Sequence, residues 1–292
     1  MLPIIGVVIV FSMVFGGYLI AGGKMGIILS SLPYEMMMIL GAAVGAFVIS
    51  TDSHGLKHTI SSVKKVGKGT HWNKEDYRDL LVLLHELMRT GKQNPVALEE
   101  QIENPEASPV FANFPKLLAD KEATALICDT LRAAAMNFDD PHQVEDLLTK
   151  RIETRLHEQM HPSHALQTIA DGLPALGIVA AVLGVIKTMA SIDQPPAVLG
   201  KMIGGALVGT FLGVFLAYAF VGPAANKVKE VVEADHAFYL LIREVMVAYL
   251  HRHPPNIAIE VGRQNIPSDK RPDFDDLEEA VRSAQPAPAQ AA

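Results

Sequence analysis

Two histidines and a glutamate stand at a spacing that could hold a metal ion. Residues 157–161 read HEQMH, and on a helix His157 and His161 would share one face with Glu158 available as a base, as in zinc proteases. A catalytic zinc also needs a third protein ligand, and Pro162 disfavours helical backbone at the histidine before it. A membrane-bound zinc protease using these three residues therefore remains the minor alternative.

The composition indicates a membrane protein. Hydrophobic residues make up 49% of the 292 residues, a proportion unusual for a purely soluble chain of this size. The formal net charge of −7 argues against nucleic acid as a partner. The single cysteine, Cys128, excludes an intrachain disulfide framework, and it is expected to be a small buried helix residue.

Four apolar stretches are long enough to cross the hydrocarbon core of a bilayer, which takes about 20 helical residues. They cover residues 4–21, 34–51, 172–191 and 202–223. The pattern predicts an all-α, polytopic membrane protein with four transmembrane helices and a helical cytoplasmic domain between the second and third spans.

The distribution of Lys and Arg predicts the direction of these spans. Basic residues concentrate in residues 52–168 and directly after the fourth span, whereas the two short turns contribute only Lys24 and Lys201. Cytoplasmic loops carry the excess of basic residues. The large loop and both termini are therefore expected to be cytoplasmic, and the basic run at 57–68 is a topology signal, with contact to lipid headgroups as the weaker alternative.

Glycines in two spans are spaced for close contact between helices. They are Gly41 and Gly45 in the second span, and Gly205, Gly209 and Gly213 in the fourth. The spacing predicts that these spans pack in a bundle or an oligomer.

Ionisable residues are expected only near the span ends. Glu35 opens the predicted second span, Asp171 opens the third, Lys187 lies near its far end and Lys201 precedes the fourth. No carboxylate is expected near the middle of the bilayer, where a proton relay needs one. If the protein conducts protons, the titrating acid is expected from another chain.

The remaining segments are assigned from helical periodicity and composition. Gly91 is expected to end one helix of the cytoplasmic domain, and a later helix beginning at Asp140 is expected to end at HEQMHP. The predicted organisation is transmembrane helices 1 and 2 in residues 1–52, the cytoplasmic domain in 53–168, transmembrane helices 3 and 4 in 169–226, a cytoplasmic helix in 227–266 and a disordered tail in 267–292.

Two long motifs resemble a known family. HALQTIADGLPALGIVAAVLGVIKTM and GGALVGTFLGVFLAYAFVGPAANKV closely resemble the last two membrane helices of the MotA family of flagellar motor stator proteins. VFGGYLIAGGKMG and LEEQIENP are also similar to that family, so the resemblance covers nearly the whole chain apart from the tail.

The resemblance implies a proton-conducting machine of the bacterial inner membrane that is not an enzyme. Family members form a homo-oligomeric ring, a pentamer, around two MotB chains, whose single spans supply the proton-binding aspartate. Proton flow, without a metal or other cofactor, is expected to turn the ring against the rotor switch protein FliG. A partner acid agrees with the expected lack of a mid-bilayer carboxylate here.

The resemblance also assigns roles to four membrane residues. Pro174 and Pro223 match prolines at the cytoplasmic ends of the third and fourth helices, although a simple helix kink explains them too. Thr210 matches the threonine that lines the ion path, with a hydrogen bond to its own helix backbone as the alternative. Sodium-driven relatives place a threonine at the position of Ala181. Alanine offers no oxygen ligand, which favours protons.

The rotor-facing charges are assigned in the same way. Glu99 in LEEQIENP matches the acidic contact residue of the family. The matching basic position falls near Gly91, so Arg89 and Lys92 both remain candidates. These exposed charges are expected to tune encounter more than to supply tight affinity.

A related alternative is an energiser of outer-membrane processes like TolQ or ExbB, which share the last two membrane helices in outline. Those proteins have three spans with the N-terminus outside. The GGYLIAGG motif and the first two spans of this chain argue against that alternative.

Overall fold

A computed structural model describes residues 2–63, 67, 69–135 and 140–284, and within these ranges the regular structure is helical. The helices are α1 Leu2–Ile20, α2 Met25–Ser50, α3 Ser53–Val63, α4 Lys74–Gln93, α5 Pro95–Glu103, α6 Pro109–Ala112, α7 Pro115–Ala119, α8 Lys121–Ala135, α9 Pro141–Met189, α10 Pro196–Leu216, α11 Gly222–Leu250, α12 Pro255–Gln264 and α13 Phe274–Ala284. A 3₁₀ turn covers Pro105–Ala107 and a π-helical turn covers Ala217–Val221.

The chain divides into two compact units. The membrane unit comprises Met1–Gly69 and Gln159–Val231, and the second unit comprises Thr70–Glu158 and Val232–Ala292. Four helical stretches are long and apolar enough to cross a membrane, namely Leu2–Ile20, Met25–Ser50, Pro141–Met189 and Pro196–Leu250. The all-α fold with four membrane helices is therefore confirmed.

The membrane unit contains a small apolar core and a cluster of phenylalanines. The core includes Ile39 on α2, Leu173 on α9 and Leu212 on α10, all at most 3% exposed. Phe11 on α1 lies 5.9 Å from Phe215 on α10, edge to face. Aromatic pairs of this geometry contribute stabilisation beyond their buried area, so the ring contacts help to hold α1 against α10.

The second unit has a larger core built on α4. Trp72 lies just before this helix and stacks on Phe238 of α11, with ring centroids 3.9 Å apart. The Asn73 side chain and Asp76 form a capping box that satisfies backbone N–H groups at the start of α4. The unit also buries Cys128, as predicted, and burial raises the pKa of its thiol to about 11.

Two helices of the membrane unit differ most from the sequence prediction. Helix α2 begins at Met25 instead of residue 34 and contains Pro33. Helix α9 does not end at HEQMHP but continues for 49 residues through Pro162 and Pro174. An interior proline removes one hydrogen bond, and buried apolar residues on both sides, such as Met160, favour continuation of the helix.

The second unit departs from the prediction at three helix ends. Gly91 lies inside α4, which runs on to Gln93. The predicted single helix over 227–266 breaks after Leu250, where Arg252 adopts a positive φ of 64°, and resumes at Pro255.

The predicted disordered tail is wrong over Phe274–Ala284, which forms α13. Leu277 and Val281, one helical turn apart, bury on the core of the second unit. This two-residue apolar stripe is enough to anchor a short charged helix. Residues 285–292 of the predicted tail, together with Lys64, Lys65 and Lys68 of the predicted basic run, lie outside the described residues.

Candidate functional site

Helices α9 and α10 pack antiparallel with their backbones in direct contact. A Cβ atom added at Gly213 would lie 2.6 Å from the Leu173 carbonyl oxygen, and one added at Gly177 would lie 2.8 Å from the Gly209 carbonyl oxygen. Only glycine permits such approach. The prediction that glycines of the fourth span allow close packing is confirmed for Gly209 and Gly213.

The two residues predicted to line the ion path come to the same level of this pair. A Cβ atom added at Gly209 would lie 3.2 Å from the Ala181 backbone nitrogen, and Thr210 follows directly in the chain. Thr210 is partly exposed, and no hydrogen bond from its hydroxyl is found among the described residues. The alternative of a bond to its own helix backbone is thus not favoured here.

The two prolines lie at different levels. The carbonyl of Leu173 meets Gly213, so Pro174 lies inside α9 near the level of Gly213. Pro223 is farther along, because the buried Ser163 hydroxyl donates to the Ala225 carbonyl at 2.9 Å. Pro174 is thus an interior residue of α9, and Pro223 is the second residue of α11.

Pro223 follows an irregular turn. The π-helical turn at Ala217–Val221 ends where the Gly222 N–H donates to the Ala217 carbonyl. A π turn of this kind is expected beside a proline, since proline lacks the N–H that would continue the α-helical pattern. The irregularity offers a place where the helix could bend.

The same unit contains a buried carboxyl that the sequence pattern did not predict. Because α2 begins at Met25, Glu35 lies about 15 Å along this helix, and it is 6% exposed. Its Oε2 atom would lie 2.5 Å from a Cβ atom added at Gly209. The prediction that Glu35 opens the second span is therefore wrong, since ten residues of α2 precede it. The turn residues GGK at 22–24 could have signalled the earlier helix start.

The predicted rotor contacts gather at the corner between α4 and α5. A Cβ atom added at Gly91 would lie 2.7 Å from Leu98 Cδ2, and Asn94 caps α5 by accepting a hydrogen bond from the Ala97 N–H at 3.2 Å. Close packing and the cap fix the angle between the two helices. Glu99 is exposed on α5.

The two basic candidates differ in their surroundings. Arg89 is half-buried and lies 4.0 Å from Glu86. Burial raises the pKa of the Glu86 carboxyl, and the charge of Arg89 opposes part of this rise. Lys92 is exposed, and its Nζ donates to the His253 carbonyl at 3.4 Å. Lys92 is therefore free to meet a partner at little cost, whereas Arg89 balances a buried acid.

The candidate zinc residues lie on the surface of α9. His157 and His161 are exposed on continuous helix, so the argument that Pro162 breaks the helix was wrong. Yet within residues 2–63, 67, 69–135 and 140–284, no group of three or more His, Cys, Asp or Glu side chains is placed to hold a metal ion. The third ligand that a catalytic zinc needs is missing from this part of the chain.

Comparison with protein families gives two matches. Residues 4–95 match the model described as Motility protein A N-terminal, and residues 119–238 match the MotA/TolQ/ExbB proton channel family. The first match argues against a TolQ- or ExbB-like assignment, because it places the N-terminal spans with motility proteins.

Two curated relatives align along nearly their whole length. Motility protein A of Escherichia coli (strain K12) is 37% identical over 98% of this chain and 96% of its own. Chemotaxis protein LafT of Vibrio parahaemolyticus is 38% identical over 94% of this chain and 96% of its own.

Two solved structures share the fold. The C. jejuni MotAB structure matches with a TM-score of 0.72 and 18% identity, over 93% of this chain and 98% of that one. The MotAB stator complex from Bacillus subtilis gives 0.69 and 19%, over 97% and 98%. The chain belongs to the motility protein A family, and it is a flagellar stator subunit of the proton channel class and not an enzyme.

Proposed function

We propose that this chain couples proton flow to rotation of the bacterial flagellum, as the ring-forming half of a stator complex. A MotB-like single-span partner would supply the principal proton-binding aspartate, and the second unit would act on the rotor protein FliG. The observation that carries the proposal is the glycine-packed pair α9 and α10, which sets Ala181 and Thr210 at one level. Small residues let two membrane helices approach closely, and this contact fixes Ala181 and Thr210 relative to each other.

The coupling ion in this proposal is the proton. A sodium site needs several oxygen ligands, and Ala181 contributes no side-chain oxygen beside Thr210. Motility driven by this chain should therefore stop when a protonophore collapses the proton gradient. It should continue when Na⁺ is replaced by K⁺.

The proposed assembly is a homopentamer in the inner membrane, with both termini in the cytoplasm. Gly41 and Gly45 on α2 would meet nothing within 4 Å in the described part of the chain if Cβ atoms were added. Small residues on an open helix face suit contact with a neighbouring subunit. Basic flanks of the large loop support the orientation.

The proposed rotor contact is the pair Lys92 and Glu99. Both are exposed at the rigid corner between α4 and α5, where exposed charges can steer encounter with a partner of complementary charge. Arg89 in this proposal stabilises Glu86 and does not meet the rotor. The choice between the two basic candidates follows from this difference in exposure.

A complementation experiment tests the function. The chain and its MotB-like partner are expressed together in a flagellated strain that lacks its own stator genes, and swimming is recorded. Restored, protonophore-sensitive swimming is expected. If the two chains reach the membrane together and the flagella stay still, or swim only with Na⁺, the proposed function is wrong.

A matched pair of variants tests the rotor contact. Glu99→Lys should abolish rotation and be rescued by a charge reversal on the rotor, whereas Glu100→Lys should leave swimming intact. Both glutamates are exposed on α5, but adjacent residues on a helix point in different directions. Equal effects of the two changes would contradict the assignment.

A further inference from the structure

Glu35 is a buried acid without a complete set of partners. Its side chain is 6% exposed, and its Oε2 atom has no hydrogen-bond partner among the described residues. An ionised carboxylate buried in this way costs several kcal/mol, whereas a protonated one is uncharged and can donate a hydrogen bond. The unpaired Oε2 atom can be satisfied by a small ligand, and a proton or a water molecule is small enough to bind there.

A cavity lies next to this carboxyl. It has a volume of about 520 Å³ and is lined by residues of α2, α9 and α10, among them Ser31, Tyr34, Glu35, Lys187, Lys201 and Gly205. This space can hold several waters, and its polar lining offers them partners. Tyr34, Lys187 and Lys201 are exposed, so they form a polar rim around the cavity.

The titratable groups that line the cavity come from all three helices. Glu35 and Tyr34 lie on α2, Lys187 on α9 and Lys201 on α10. No ion pair joins Glu35 to either lysine within the described residues. Two ammonium groups at the rim would nevertheless stabilise the ionised carboxylate across the waters whenever the proton leaves.

The carboxyl also touches the proposed ion path. Its Oε2 atom and the Ala181 backbone nitrogen lie 2.5 and 3.2 Å from the same point, the position of a Cβ atom added at Gly209. Thr210 follows Gly209 in the chain. Glu35 therefore lines the cavity and also lies beside Gly209, the residue that precedes Thr210.

We propose that Glu35 is a proton-binding site of this chain itself, exchanging its proton with water in the cavity. The carboxylic acid of Glu35 transfers H⁺ to a water molecule in the cavity, which leaves a carboxylate and H₃O⁺. The reverse transfer protonates the carboxylate again. This site is additional to the aspartate of the partner chain. Its role in motility rests on the proposed stator function, but proton binding can be measured without rotation.

Infrared spectroscopy of the complete stator complex in lipid nanodiscs tests proton binding directly. The wild type should show a protonated-carboxyl C=O band that titrates with pH and is lost in Glu35→Gln, which keeps the size of the side chain. The control Glu106→Gln, an exposed glutamate on the 3₁₀ turn, should keep the band. If wild type and Glu35→Gln give the same spectra, or if the band responds to Na⁺ at constant pH, the proposal is overturned.

A second measurement needs no variant. A hydrophobic carbodiimide reacts with protonated carboxyl groups in apolar surroundings, and mass spectrometry of the wild-type complex should locate the label on Glu35, with less label as the pH rises. Absence of label at Glu35 at every pH would contradict the proposal.

Swimming assays separate the two hypotheses. If wild type restores swimming but Glu35 neither titrates nor takes the label, only the proton site is wrong. If wild type fails to restore swimming while Glu35 titrates, the stator function is wrong and the proton site stands. If both hypotheses are correct, cells with Glu35→Gln should swim much more slowly than cells with Glu35→Asp, because aspartate keeps a titratable group.

Discussion

The hydroxyl of Tyr239 should contribute strongly to the stability of the second unit. It donates a hydrogen bond to Asp120 Oδ2 and accepts one from Arg155 Nη2, each at 2.7 Å. The Arg155 guanidinium also lies over the Tyr239 ring, 4.3 Å from its centroid. Burial, followed by the bond to Asp120, raises the pKa of this hydroxyl, so it stays protonated at neutral pH. The substitution Tyr239→Phe removes both bonds and leaves the ring.

The expected loss of stability in Tyr239→Phe follows from the charges of its two partners, Asp120 and Arg155. A hydrogen bond to a charged group contributes about 1.5–3 kcal/mol. Asp120 keeps two bonds from backbone N–H groups, so the loss should be smaller than the sum of two such bonds. We expect the free energy of unfolding to fall by about 2–3 kcal/mol, which at a slope of about 2 kcal/mol per molar urea lowers the midpoint by roughly 1–1.5 M.

Tyr77 provides a matched control. It is fully buried and also contacts Phe238, but its hydroxyl has no hydrogen-bond partner among the described residues. Removing an unpaired buried hydroxyl relieves its desolvation cost. Tyr77→Phe should therefore leave the stability unchanged or raise it by up to about 1 kcal/mol.

The assay uses the single tryptophan of the chain. Trp72 is 1% exposed and stacks on Phe238, so its fluorescence reports unfolding of the second unit in the full-length protein in detergent. Urea titrations of wild type and both variants give the three midpoints. A cost of Tyr77→Phe equal to that of Tyr239→Phe, or an unchanged midpoint for Tyr239→Phe, would refute the hydrogen-bond reasoning.

Three further predictions concern packing, pH and a helix cap. Gly213→Ala places a methyl group against the backbone of α9. We expect the free energy of unfolding to fall by about 1–3 kcal/mol, which circular dichroism should show as a lower thermal midpoint. In the control Gly204→Ala the new methyl group meets only a side-chain methyl at 3.3 Å, so the midpoint should change little. Burial lowers the pKa of His85, so only the unfolded chain takes up this proton near pH 6.5. The free energy of unfolding is then retained above about pH 6.5 and falls below it. The urea midpoint followed by Trp72 fluorescence should therefore drop on acidification, and it should drop less in His85→Gln. Asn94→Ala removes the cap of α5 and should lower the free energy of unfolding by about 1 kcal/mol in the same urea titration. An unchanged midpoint would show that the cap does not stabilise the unit.

Some features followed directly from the amino-acid sequence. Four spans were predicted from length and hydropathy, because a bilayer demands about 20 apolar residues from each helix whatever its neighbours are. Burial of Cys128 was predicted because a single free cysteine commonly behaves as a small buried residue. The motifs around Pro174 and Thr210 identified the family, which the comparisons confirmed.

Helix boundaries were less predictable. Proline was taken as a helix end at Pro162, but α9 continues because packing on both sides of the proline outweighs one lost hydrogen bond. The helix at Phe274–Ala284 was assigned to a disordered tail because two apolar residues carry little signal until a core exists for them to cover. Local propensity is weak in both cases, and tertiary contacts decide.

The sequence by itself determined that this chain is a four-span stator subunit, because hydropathy and long motifs are properties of consecutive residues. Only the tertiary structure decided which charged groups are available for function. Lys92 and Arg89 are three residues apart, yet one is exposed and the other balances the buried Glu86. Glu35 is an ordinary acid near a turn in the sequence. It becomes a buried carboxyl beside Gly209 because helices distant in sequence pack around it, and burial and hydrogen bonding depend on neighbours in space.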